Sequence, residues 1–314
     1  MSAQTSEPGA PGFFCRDSSL AAGEPLFGTA TRADVWLMLE YTGAWGKKAF
    51  EESALPDPVK AHLSRYLDAS PHARVQLIRQ PGRGADGIAF FVAVTREPLP
   101  AVYEFHLRRY EDLLSLDLAA VADGAPAYAQ RARRTPLYLV CVNGRRDRCC
   151  ARRGVGVYEA IAAQVGDAAW ESTHIGGHRF AAVGMCFPHG VCYGRLEPGD
   201  APEVVRAYRA GRIFMEKYRG RACHDAITQA ADYWLRVETG VAALEAFRWL
   251  GTESVSGEAW VARFGDAANG QVHRIQVEAA QSGARVYTSC GDAEPSAFVE
   301  YRLAAHSLEE PDAP

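Results

Sequence analysis

The same order of segments occurs twice along the chain, and that repetition restricts the fold more than any other feature. A strand at residues 34–41 (DVWLMLEY) precedes a helix around 58–67, for which Asp57 suits the N-cap and Pro58 the first helical position. Three apolar stretches follow at 73–78, 87–95 and 101–107, and their β-branched and aromatic content favours strands. After an arginine-rich linker, a strand at 136–142 leads to a helix near 155–165, where Val157, Ala160, Ile161 and Val165 share one face. Strands are then expected at 169–173, 180–187 and 191–196, the last two joined by the turn signal Pro188-His189-Gly190. Strand, helix and three strands, taken twice, point to an α/β fold with two copies of one unit. Element order alone carries this, since the halves share no obvious residue identity.

Beyond Pro198 the character changes. Residues 226–237 carry apolar side chains at Ile227, Ala230, Ala231, Trp234 and Leu235, a helical stripe. A second helix is expected at 241–250, then short strands at 259–264, 272–277 and 285–288. This reads as a small α+β appendage without a ligand constellation. The expected organisation is therefore an N-terminal α/β half without ligands (13–130), a ligand-bearing module (136–198), the appendage (199–306) and disordered tails at 1–12 and 307–314.

Several function classes are poorly supported. The longest apolar runs, 88–94 and 137–142, are too short to span a bilayer. The first twelve residues lack the basic flank and apolar core of a signal peptide, so a cytoplasmic location is expected. With 34 basic and 38 acidic residues the net charge is −4, which does not favour nucleic-acid binding through counterion release. Gly154-Val155-Gly156 lacks the third glycine of a dinucleotide loop, and there is neither a Walker sequence nor a C-x-x-C pair. Charge is nevertheless uneven: eight arginines (131, 133, 134, 145, 146, 148, 152, 153) face one acid, Asp147, between 131 and 153. They form either a solvated face or a docking surface for an acidic partner.

Chemistry concentrates in one window. Of eight cysteines, five (141, 149, 150, 186, 192) fall between 141 and 192, together with His174, His178 and His189. Cys141 ends a strand, Cys149 and Cys150 follow a polar loop, and His174 and His178 stand in THIGGH after the next strand. In a strand–helix–strand crossover the two strands can lie parallel, so the loops after them meet at one edge of the sheet. Two sulfurs and two imidazoles can converge there on a metal centre. Zinc accepts such a set, but seven or eight intervening residues is long for a zinc knuckle. A [2Fe–2S] cluster with two histidines, as in Rieske centres, suits a longer loop, although paired C-x-H boxes are missing. Spacing leaves both open. Cys186 and Cys192 flank the hairpin turn and read as core thiols, with a redox pair as the alternative. Cys15, Cys223 and Cys290 have no spacing logic.

The strings CVNGRRDRCCARRG, WESTHIGGHRFAA and FPHGVCYGRL together resemble the sucrase/ferredoxin-like family of thioredoxin-like ferredoxins, whose pattern is C-x₈-C around an Arg-Asp pair, then H-x₃-H. LFGTATRADVWLMLEYTGAWG and YRGRACHDAITQAADYWLR also look familial, so the likeness covers most of the chain. The resemblance implies a thioredoxin-like ferredoxin module with a [2Fe–2S] cluster held by Cys141, Cys150, His174 and His178. Register on Arg146-Asp147 selects Cys150, with Cys149 as its substitute after a one-residue slip. Arg146 and Asp147 would shape the loop or help dock a redox partner, a reductase or a ferredoxin. The implied function is electron carriage rather than catalysis. Two other classes stand beside it: a zinc-stabilised Cys₂His₂ binding module, and a thiol redox enzyme using Cys149-Cys150 or Cys186/Cys192. If histidines ligate the cluster, its midpoint potential falls as pH rises; a flat line from about pH 6 to 10 in a redox titration removes histidine ligation.

Overall fold

The computed structural model describes residues 12–84 and 87–309. The expected tail 1–12 lies outside them except for its last residue, as does 310–314 of the expected C-terminal tail. A short helix α1 (Cys15–Ala21) precedes β1 (Val35–Glu40), α2 (Asp57–Ala69), β2 (Ala73–Arg79), β3 (Ile88–Val94), β4 (Ala101–Leu107) and α3 (Leu118–Ala122). Next come β5 (Leu137–Cys141), α4 (Arg148–Val165), β6 (Ala169–Ser172), β7 (Gly184–Phe187), β8 (Val191–Tyr193), α5 (Ala201–Arg209), β9 (Tyr218–Arg221) and α6 (Ala226–Thr239). The chain ends in β10 (Phe247–Ser256), β11 (Ala259–Asp266), β12 (Val272–Val286) and β13 (Ser296–Leu308).

Nine strands form one sheet in the order β4-β3-β1-β2-β6-β5-β7-β8-β9. The repeated order of the sequence has become a repeated topology. In the first half β1 is parallel to β2 and antiparallel to β3, which is antiparallel to β4. In the second half β5 is parallel to β6 and antiparallel to β7, which is antiparallel to β8. Each half is a four-stranded α/β arrangement with its crossover helix, α2 or α4. The halves join through their corresponding strands, β2 and β6, by an antiparallel pairing of Ile78 with Ser172 and Arg79 with Glu171. An ion pair of 2.7 Å between Arg79 Nε and Glu171 Oε2 reinforces that short seam.

Alternation along the strands sends side chains to two cores. Leu37, Leu39, Phe90, Val92 and Val140 pack with Val59 and Leu63 of α2 and Val157 and Ile161 of α4. Trp36, Met38, Phe91, Leu139, Trp170 and Phe187 fill the opposite face. There the Trp36 and Phe187 rings lie 5.8 Å apart although three strands separate β1 from β7. At about 4.8 Å per strand a flat sheet would hold them far apart, so the sheet curls around this second core. Ala33 N–H reaches the Ala222 carbonyl at 2.8 Å, tying the entry to β1 to the exit from β9.

The separate four-stranded antiparallel sheet, β10-β11-β12-β13, packs on α6 through Ala230, Ala231, Leu235, Phe264, Ile275 and Val277. Here the expectations need correction. Residues 241–250 are not a helix: they form a turn and the start of β10. The expected strand 272–277 and the first two residues of 285–288 belong to one long strand, β12, which ends at Val286, and β13 runs through Ser307 and Leu308, in the expected disordered tail. β10 and β13 are edge strands with few buried side chains, so their sequences lack the alternation that marks a half-buried strand. Two helix starts also move. Asp57 is the first residue of α2, with Pro56 as its cap, and α4 begins at Arg148, seven residues before the expected start.

α4 lies so close to β5 that a Cβ on Gly154 would sit 2.2 Å from the Cys141 carbonyl oxygen. At an open helical site Gly→Ala gains up to about 1 kcal/mol. Here a fixed backbone atom must move, and overpacking of this kind costs about 1–3 kcal/mol. Gly154→Ala should therefore lower the melting temperature, by about 2–4 °C for each kcal/mol lost; calorimetry that shows it unchanged or raised contradicts the close approach.

Candidate metal centre

The parallel register of β5 and β6 sets Cys141 opposite Ser172, so the chain leaves both strands at the same edge. Past β6, Thr173 is pinned to the first half: its N–H donates to the Leu77 carbonyl at 2.9 Å and its hydroxyl to Gln76 Oε1 at 2.9 Å. His174 follows at once. The turn after it needs glycine twice, because Gly176 and Gly177 have φ of +128° and +73°. A side chain on Gly176 would also meet Thr31 Oγ1 at 1.9 Å. This tight turn brings the His178 ring back against His174, with centroids 4.4 Å apart and planes inclined by 26°.

The cysteines come from the other loop. Asp147 caps α4, its Oδ1 accepting the Cys149 N–H at 2.9 Å. Cys149 and Cys150 thus lie in the first helical turn, not in a loop. Neighbours on a helix point about 100° apart, and the two sulfurs part company. Cys150 Sγ is 3.8 Å from His174 Nδ1 and Cys141 Sγ is 3.9 Å from it, and the three ligand atoms all lie within 4.8 Å of one another. Cys149 Sγ instead faces Cys15 Sγ at 3.5 Å and Cys290 Sγ at 3.3 Å. Cys149 is therefore not placed to substitute for Cys150.

Electrostatics suit a cation. The Cys150 thiol, together with the His174 ring, holds Cys141 well below an ordinary thiol, while Cys150 is pushed up by the Cys141 sulfur and by burial. The pair loses its first proton easily and its second only with help. Burial, aided by His174 and Arg146, pushes His178 down to about 4, so it is a neutral donor at pH 7. Its Nδ1 is buried with no hydrogen-bond partner.

Of the other expected residues, Arg146 is half-buried and lines a cleft of about 430 Å³ with Lys47, Lys48, Arg74, Asn143 and His174. Asp147 is only 5% exposed; besides the cap, its Oδ2 accepts from Cys290 N–H and Ser289 Oγ, each at 2.8 Å. It is an internal anchor, not part of a docking face, and it is bonded to the appendage rather than to Arg146. Cys186 and Cys192 are both buried but pack in opposite cores, because Cys186 pairs with Val191 and Met185 with Cys192. Alternation rules out their facing each other across the hairpin. Sequence reasoning missed the gathering of Cys15, Cys149 and Cys290, since nothing in the spacing of residues 275 apart signals contact. A further grouping, Glu97, Cys223 and His224, lies by a second cleft; Cys223, the His224 carboxylate neighbour Glu97 and the hydrogen bonds between them outweigh burial and hold His224 up to about 9.

Because folded His178 titrates near 4 and an unfolded imidazole near 6.5, the unfolded chain binds a proton in that window and the folded chain does not. Stability of the metal-free chain should fall as pH drops through this window. His178→Asn should flatten the change in urea-unfolding free energy between pH 7.5 and 5.5; an unchanged slope assigns it to other groups.

Comparison with protein families matches the sucrase/ferredoxin-like model over residues 26–220, which runs from before β1 into β9 and includes every residue of the Cys141, Cys150, His174 and His178 set. No curated protein and no solved structure matches the chain. With more than half its length covered by that match, the chain belongs to the sucrase/ferredoxin-like family.

Proposed function

We propose that the protein is a one-electron carrier whose [2Fe–2S] cluster is held by Cys141, Cys150, His174 and His178. The observation that carries this reading is the convergence of Cys141, Cys150 and His174 within 4.8 Å, with the His178 ring stacked beside them. A buried imidazole nitrogen without a partner is costly unless something bonds it, and His178 Nδ1 is such an atom. Two sulfurs and two neutral imidazoles are a donor set that iron–sulfur chemistry uses. Such a cluster supplies reversible electron transfer at a potential above that of an all-cysteine cluster, because two neutral ligands replace two anionic ones.

The chain's own contribution is placement and access. His174 is half-buried and lines the cleft, so it is where the site reaches the surface. Lys47, Lys48, Arg74 and Arg146 surround that cleft and favour an acidic redox partner, a reductase or a ferredoxin, through steering. Other arginines of the 131–153 stretch have local partners: Arg133 pairs with Glu104 at 2.6 Å and Arg153 with Asp17 at 3.4 Å. Electron exchange needs no catalytic acid or base, and none is assigned.

One observation favours a second reading. Separations of 3.8 and 3.9 Å are near the edge of a tetrahedron around a single metal, so one zinc in the same residues is the competing assignment. Iron, sulfide and zinc analysis of protein purified without oxygen separates the two. The electron-carrier reading expects red-brown protein with about two irons and two sulfides per chain. It also expects Cys150→Ser to abolish the colour and Cys149→Ser to keep it. Colourless wild-type protein with zinc at this site ends the electron-carrier reading.

A further inference from the structure

We propose that Cys15, Cys149, Cys290 and Asp147 form a second, structural metal site for a thiophilic divalent cation of the zinc type. The three sulfurs make a triangle with edges of 3.5 Å (Cys15 to Cys149), 3.3 Å (Cys149 to Cys290) and 3.7 Å (Cys290 to Cys15). Asp147 Oδ1 lies 3.9 Å from Cys15 Sγ, and all four ligand atoms fall within 4.8 Å of one another in buried residues. With zinc–sulfur bonds of about 2.3 Å, the sulfurs of a tetrahedral site are about 3.8 Å apart, so the triangle needs little expansion to close on one ion.

An ordinary packing of thiols explains the arrangement poorly. The surrounding apolar cluster is small, with Phe13 and Ala181 as the fully buried residues beside the three cysteines. A buried carboxylate faces these sulfurs, and among the described residues no lysine or arginine forms an ion pair with Asp147. The Cys149 and Cys290 N–H groups and Ser289 Oγ hydrogen-bond this carboxylate but carry no positive charge, and a cation among the sulfurs would supply the countercharge that lets the thiols ionise beside it. The Cys15 N–H donates to Cys290 Sγ at 3.4 Å, the kind of outer hydrogen bond that supports a metal-bound thiolate.

The ligands come from three places that nothing else in the sequence relates. Cys15 begins α1, Asp147 and Cys149 start α4, and Cys290 lies at the tip joining β12 to β13. That tip is itself braced: Asp292 Oδ2 accepts from Thr288 Oγ1 at 2.6 Å and Ser289 N–H at 2.8 Å. A metal here would clasp the amino-terminal helix, the first turn of α4 and the C-terminal sheet. Since Cys150 is the next residue on α4, the clasp would also hold Cys150 in its orientation toward Cys141. The assignment stands whether or not Cys141 and Cys150 hold a cluster.

Metal counting on the full chain, purified without oxygen or chelator, tests it. Cys141→Ser/Cys150→Ser, which disables the first constellation, should still carry about one zinc per chain. Adding Cys15→Ser and Cys290→Ser should lower that zinc at least tenfold. Because the fourfold variant could fail to fold, zinc K-edge absorption on the Cys141→Ser/Cys150→Ser protein gives an independent reading, with three sulfurs and one oxygen expected around the ion. Zinc absent from the Cys141→Ser/Cys150→Ser protein overturns the proposal. So does a Cys149–Cys290 disulfide found by mass spectrometry in the anaerobic protein, or a zinc environment containing nitrogen. Iron and sulfide counted in the same samples report on the first site separately.

Discussion

Parallel pairing of β5 with β6 is the constraint from which the site follows. Two strands running the same way must be joined by a crossover, and both then release the chain at one edge. Cys141 ends the first strand and His174 follows the second by two residues, so their side chains start from neighbouring positions. α4, the crossover helix, returns over the same strands, with Gly154 allowing its backbone to approach the Cys141 carbonyl. The sulfur of Cys150 is delivered to that edge by the first turn of this helix. Each piece is local, but their meeting depends on the register of one strand pair.

The first turn of α4 divides two vicinal cysteines between two environments. Helical geometry turns Cys149 away from Cys150, and Asp147 fixes where that turn begins. The same carboxylate holds the tip of the C-terminal hairpin through Ser289 and Cys290. The appendage is thus coupled to the helix that carries Cys149 and Cys150 by buried hydrogen bonds. That gives a physical role to a segment whose own sequence carries no visible constellation.

The two halves share a topology but not a chemistry. Where the second half ends its first strand in Cys141, the first half ends its own in Glu40. Glu40 is buried, pairs with Arg83 and accepts the Ala89 N–H at 2.7 Å. Its charge is balanced by a guanidinium, and among the described residues it belongs to no grouping of donor atoms that could hold a metal. The first half instead serves the site from outside: Gln76 and Leu77 hold Thr173, and Lys47, Lys48 and Arg74 line the cleft that reaches His174.

Strands β1 to β5 and the helix α6 were legible in hydrophobic pattern, because each buries an apolar face whose period survives in the sequence. The edge strands β10 and β13 were not, since they bury few side chains and leave no period to read. The start of α4 was missed because RCCARRG has no apolar stripe; its only signal is the capping Asp147. Residue identity and spacing settled which donors the chain possesses and led to the expectation that Cys141 ends one strand of a crossover and His174 follows the other. They could not settle which of Cys149 and Cys150 turns toward His174, because that is the angle of a helix whose first residue was unread. Nor could they bring Cys15 and Cys290 to Cys149. Contacts between residues so far apart leave no local trace, and only the packing of the appendage's hairpin against the amino-terminal helix creates them.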